Sequence, residues 1–113
     1  MNAYCSMHCG RFQGVDQTKF KAAEAALTKK FATVSFNAEE ETLDLCGAQH
    51  LNHDPDELMA VFNSLAGLLT DNGKGRILLN CGDLEMCFFR KNMWKLVHVG
   101  MPEDPFDGLY MVG

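Results

Sequence analysis

What most limits the fold of this chain is how its strand-like runs are joined. Residues 32–36 and 42–46 alternate apolar with polar positions, putting Leu43 and Leu45 on one face, and only the polar stretch 37–41 separates them. Residues 76–80, 84–90 and 93–99 form three more such runs, parted by Cys81-Gly82-Asp83 and by Lys91-Asn92. A parallel pair needs a crossover of a dozen or more residues, whereas connections this short reverse the chain into hairpins. The pattern therefore demands antiparallel pairing.

Two helical patterns punctuate these runs. Phe20, Ala23, Leu27 and Phe31 recur at helical spacing over residues 16–31, with Asp16 as the expected N-cap. Asp54-Pro55-Asp56-Glu57 is a strong start signal, since it supplies a cap, a proline at the first helical position and acids where the helix dipole favours them. Leu58, Val61, Phe62, Leu65, Leu68 and Leu69 then trace a broad apolar stripe, and Asp71-Asn72-Gly73 reads as its end. The order helix, two strands, helix, three strands has no βαβ unit. It predicts a single α+β domain with a five-stranded antiparallel sheet carrying both helices on one face.

At 113 residues the chain is the size of one domain, and its 47% hydrophobic residues suffice for a core, which excludes disorder as its main state. Residues 1–15, with Gly10 and Gly14 and no sustained periodicity, read as a lead-in to a domain spanning 16–101. Residues 102–113 read as an extended acidic tail interrupted by Pro102, Pro105 and Gly108. No run approaches a membrane span, and the N-terminus lacks the features of a signal peptide. With an odd count of five cysteines, three of them in apolar strand-like contexts, the expectation is a cytoplasmic protein with reduced thiols and no disulfide framework.

The element order resembles that of roadblock and longin-type domains, and the run 58–90, an apolar helix leading through a Gly-containing turn into a hairpin, is similar to small secretion chaperones. Both resemblances imply protein binding and dimers rather than catalysis.

Charge placement points the same way. The formal net charge of -5 disfavours a nucleic-acid binder. Residues 32–73 hold no Lys or Arg but eight carboxylates, Glu39, Glu40, Glu41, Asp44, Asp54, Asp56, Glu57 and Asp71, whereas residues 74–99 carry a net +3. A solvated face kept for solubility accounts for this equally well. The functional alternative is an acidic region that steers a basic protein partner, with Glu39, Glu40, Glu41 and Asp44 as its contacts. The final hairpin has apolar residues on both faces. Alternation is expected to place Phe89 and Trp94 on opposite sides, one for the core and one for a partner or for a homodimer through the sheet.

Other chemistries have thinner support. Cys5, His8 and Cys9, together with Cys46, His50 and His53, supply soft and imidazole ligands of the kind zinc takes, although neither spacing is an established zinc pattern. Thiol chemistry on the same clusters lacks a C-x-x-C dithiol. Ser35 and Ser64 lie without a nucleophile motif, and Gly73-Lys74-Gly75 lacks the spacing of a phosphate loop. The reading is a small acidic protein-interaction module of adaptor, chaperone or inhibitor type. It needs no cofactor and no catalytic residue. A zinc or thiol protein and an enzyme without a recognisable motif are the alternatives.

Overall fold

A computed structural model of the chain describes residues 6–48, 55–80 and 84–99. Its elements are β1 (Ser6–Val15), α1 (Gln17–Lys30), β2 (Phe31–Asn37), β3 (Thr42–Ala48), α2 (Pro55–Ala66), β4 (Leu69–Asn80), β5 (Leu84–Arg90) and β6 (Met93–His98). Asp16 caps α1 as its spacing predicts, its carboxylate accepting from the Lys19 N–H at 3.1 Å, and Lys29 and Lys30 stand in the last turn where the dipole favours them. The expected cap Asp54 lies outside the described residues, but α2 begins at Pro55 with Asp56 and Glu57 in its first turn.

All strands join one antiparallel sheet in the order β2-β3-β1-β4-β5-β6. The expected five strands are six. The segment expected to be a lead-in is β1, at the centre of the sheet, and the α+β class of a single domain stands. The helix-first order that carried the roadblock likeness is therefore not the observed one. Likewise α2 ends at Ala66, and 71–73, expected as its terminator, belong to β4.

The glycines that read as breakers explain both differences. On the central pair β1–β4, Gly10 faces Ile77 and Phe12 faces Gly75. A Cβ on Gly10 would stand 2.3 Å from Ile77 Cγ1, and one on Gly75 would stand 2.1 Å from Phe12 Cδ2. Each glycine makes room for the large side chain opposite, so a ring or branched chain covers a bare backbone across the ladder. Gly14, at φ +70°, sits at the irregularity between Gln13 and Val15 and approaches Gly73 too closely for any side chain.

Both helices cover one face. Phe20 and Leu27 of α1 and Val61, Phe62 and Leu65 of α2 share a core with Phe12, Leu43, Leu45, Ile77, Leu79, Cys87 and Phe89 from the sheet. Phe20 stacks on Phe36 at a ring separation of 4.4 Å, which sets α1 over β2, and Phe62 meets Phe89 at 5.8 Å and Trp94 at 4.9 Å, which sets α2 over β5 and β6. Among the described residues no helix is long and apolar enough to cross a membrane.

Candidate partner-binding face

Because side chains alternate along a strand, the residues between these core positions point away from the helices. Register carries one such row across the whole sheet, from Ser35 through Asp44, Arg11, Arg76 and Phe88 to Lys95, each the direct partner of the next. Beside it, Gln13, Lys74 and Arg90 join Arg11, Arg76 and Phe88 around a shallow depression of about 360 Å³. A smaller one of about 190 Å³ shares Arg11 and Arg76 and adds Cys9, Asp44, Cys46, Leu78 and Met86. Phe88, Met93 and Val97 stay exposed on this side, and neither α1 nor α2 packs over them.

The open face is positive. Asp44 reaches Arg11 at 3.6 Å, but both side chains are about half exposed, so solvent screens the pair. Arg90 donates to the Phe89 carbonyl at 2.9 Å. Among the described residues no carboxylate pairs with Lys74, Arg76 or Lys95. Five cations thus converge on β1, β4, β5 and β6 from parts of the sequence far apart.

Of the expected partner contacts, Glu39, Glu40 and Glu41 are exposed in the β2–β3 turn. Asn37 Oδ1 accepts from the Glu39 and Glu40 N–H groups at 2.9 and 3.2 Å, and the Glu41 carbonyl, at φ 56°, accepts from Val15 N–H at 3.0 Å. Asp44 is on the open face beside Arg11. Phe89 and Trp94 are not on opposite sides: they are register partners on the helix-covered face. Phe89 is fully buried against Phe12 at 5.1 Å, and Trp94 packs on Phe62 while its Nε1 donates to Asn63 Oδ1 at 2.8 Å. Adjacent residues on a strand have opposite directions, so Phe88 is the ring that faces outward.

The thiols also depart from expectation. Cys9 and Cys46 form a disulfide between β1 and β3 with Cα atoms 4.1 Å apart, one step beyond the Gly10–Leu45 pair. The wholly reduced state expected from the cysteine count is thereby corrected, because a strand that was not anticipated brings the two together. The bridge occupies both sulfurs and removes them from a zinc site while it is closed. Cys5, His50 and His53 lie outside the described residues, as does the side chain of His8, and the described residues contain no group of three or more metal ligands. Cys87 is a free, buried thiol whose apolar surroundings push it up to about 12. Compared with known protein families, curated proteins and solved structures, the chain matches none.

Proposed function

We propose that this chain is a small protein-binding module that works without catalysis and that its docking surface is the open face of the sheet. The observation that carries the reading is the row Arg11–Arg76–Phe88–Lys95, in which Arg76 and Lys95 have no carboxylate partner among the described residues and an exposed ring stands between them on a face that neither α1 nor α2 covers. Such a face suits an extended segment or surface of another protein that offers carboxylates beside apolar side chains. This partner is acidic, in place of the basic one first expected from the Glu39–Glu41 turn. A single-stranded nucleic acid is the weaker fit, since its bases call for several stacking rings and Phe88 is the one aromatic among the exposed large hydrophobics of the described residues. A homodimer through the same face would set Arg11 and Arg76, near the middle of the sheet, against their own copies. Cytoplasmic residence belongs to the same proposal: the free thiol of Cys87 supports it, and the Cys9–Cys46 bridge, of a kind rare in reducing compartments, counts against it.

Selection of a random peptide display library on the immobilised protein tests it. Recovered peptides should combine Asp or Glu with aromatic or aliphatic residues, and their binding should be lost on Arg76→Glu and on Phe88→Ser. It should survive replacement of Glu39, Glu40 and Glu41 by Lys. Basic peptides lost on the triple replacement and kept by the other two variants would move the site to the acidic turn. Tight capture of a labelled single-stranded oligonucleotide, lost on Arg76→Glu, would replace the protein partner. A mass near twice 12.6 kDa by light scattering at micromolar concentration would favour the homodimer.

A further inference from the structure

The Cys9–Cys46 bridge is set at the surface, on the open face, and the fold around it is secured by other means. Gly10, Arg11, Phe12 and Gln13 of β1 pair with β3 on one side and with β4 on the other, so the strand is held from both edges before the bridge adds anything. Cys9 is exposed and Cys46 half-buried, in contrast to Cys87, which is sealed in the core. Around the two sulfurs, the smaller depression is lined by two guanidinium groups, Arg11 and Arg76, against the single carboxylate of Asp44. The same arginines open onto the larger depression with Lys74 and Arg90, so the two depressions together set four cations against one carboxylate for an anion approaching the sulfurs.

We infer that Cys9–Cys46 is a thiol–disulfide exchange site for a small anionic thiol of the glutathione type. The inference stands independently of the docking reading. The attacking thiolate forms a bond to the exposed Cys9 Sγ as the Cys9–Cys46 bond breaks, and the electron pair leaves on Cys46 as a thiolate. A second thiolate attacks the small thiol's sulfur in this mixed disulfide and frees Cys9 as a thiolate. Both cysteines then take up the protons that the two small thiols released. One protein disulfide is reduced and two thiols are oxidised to their own disulfide. Arg11 and Arg76 act by concentrating the anion and by favouring the negative charge on the attacking and departing sulfur.

The test uses the full chain, oxidised in air, with glutathione, neutral 2-mercaptoethanol and cationic cysteamine compared at equal thiolate concentration. Opening of this bridge is followed by quenched alkylation and peptide mass mapping. Glutathione should open it fastest and cysteamine slowest. Arg76→Glu should slow glutathione about tenfold at low ionic strength and leave 2-mercaptoethanol within about twofold, and the difference should shrink as salt is added. A melting temperature close to the wild type shows that the exposed replacement leaves the fold intact. In Cys46→Ser, the remaining Cys9 thiol should form a mixed disulfide with oxidised glutathione faster than Cys46 does in Cys9→Ser. Three equal rates, an equal loss for glutathione and 2-mercaptoethanol in Arg76→Glu, or a bridge that opens only after denaturation would each overturn the inference.

Discussion

Gly75→Ala probes the feature on which the centre of the sheet depends. The added methyl carbon would lie 2.1 Å from Cδ2 and 2.6 Å from Cε2 of Phe12, where carbon atoms ordinarily meet at about 3.5–4.0 Å. Phe12 has no exposed surface and already contacts Phe89 at 5.1 Å, so the ring has nowhere to retreat without disturbing the core. Overpacking of this kind costs about 1–3 kcal/mol, and complete expulsion of the ring would forfeit about 3 kcal/mol of burial. Loss of unfolded-chain entropy on replacing glycine returns about 0.4–1 kcal/mol. The net expectation is a destabilisation of about 2 kcal/mol, a melting temperature lower by about 8 °C in a domain of this size. Urea unfolding followed by circular dichroism measures it. Phe12→Leu should be less harmful in the Gly75→Ala background than alone, with a coupling of about 1 kcal/mol. A Gly75→Ala variant within about 0.5 kcal/mol of wild type, or strict additivity with Phe12→Leu, would refute the ring-over-glycine account.

Three further outcomes follow from individual contacts. Asn63→Ala removes the acceptor of Trp94 Nε1 and should cost about 1 kcal/mol in urea unfolding, with a change in the fluorescence of this single tryptophan. The Lys91 ammonium, 2.8 Å from Asp71, holds that carboxyl below its ordinary value by hydrogen bond and charge, so Lys91→Met should return it upward in an NMR titration. The small stability this pair adds is present above the unfolded carboxylate pKa and fades as pH falls through that of folded Asp71. Burial keeps Cys87 protonated to about 12 while the unfolded thiol ionises near 9.0, so its contribution is present below 9 and stability declines as pH rises from there towards 12. In the native protein at pH 8, mass mapping after iodoacetamide should find Cys87 unmodified until denaturant is added.

Residues whose local chemistry and tertiary role agree were legible. Asp16 and Lys29–Lys30 mark the two ends of α1, Pro55 opens α2, and β2, β3, β5 and β6 lie close to where alternation puts them. What escaped were Gly10, Gly14, Gly73 and Gly75. Each is a turn signal taken alone, and each acquires its meaning from a strand distant in sequence, through Ile77, the Gly14–Gly73 approach and Phe12. With β1 missing, Arg11 had no place beside Arg76, and Cys9 had none beside Cys46, so neither the basic face nor the bridge was readable. The Phe88–Phe89 pair failed for another reason. Two adjacent rings on a strand satisfy either frame, and the choice was made by Ile77 opposite Cys87 and Gly75 opposite Phe89, pairings that the run itself does not contain.

A net charge of -5 and a positive open face are compatible because a sheet sorts side chains by parity and strand order rather than by position along the chain. The three glutamates adjacent in sequence share the turn that ends the β2–β3 hairpin, at one side of the sheet. Arg11, Lys74, Arg76, Arg90 and Lys95, up to 84 positions apart in sequence, share the face of the other four strands. At physiological ionic strength a charge is felt over about 8 Å, so a partner in contact with β4 and β5 responds to the local cations and hardly to the chain's total. Among the described residues, the Glu39–Glu41 turn sets negative charge at one side of the sheet and the five cations set positive charge on the open face of the other four strands. On the proposed function, an acidic partner would be drawn to one side and turned away from the other, which would fix orientation before any apolar contact with Phe88 or Met93 forms.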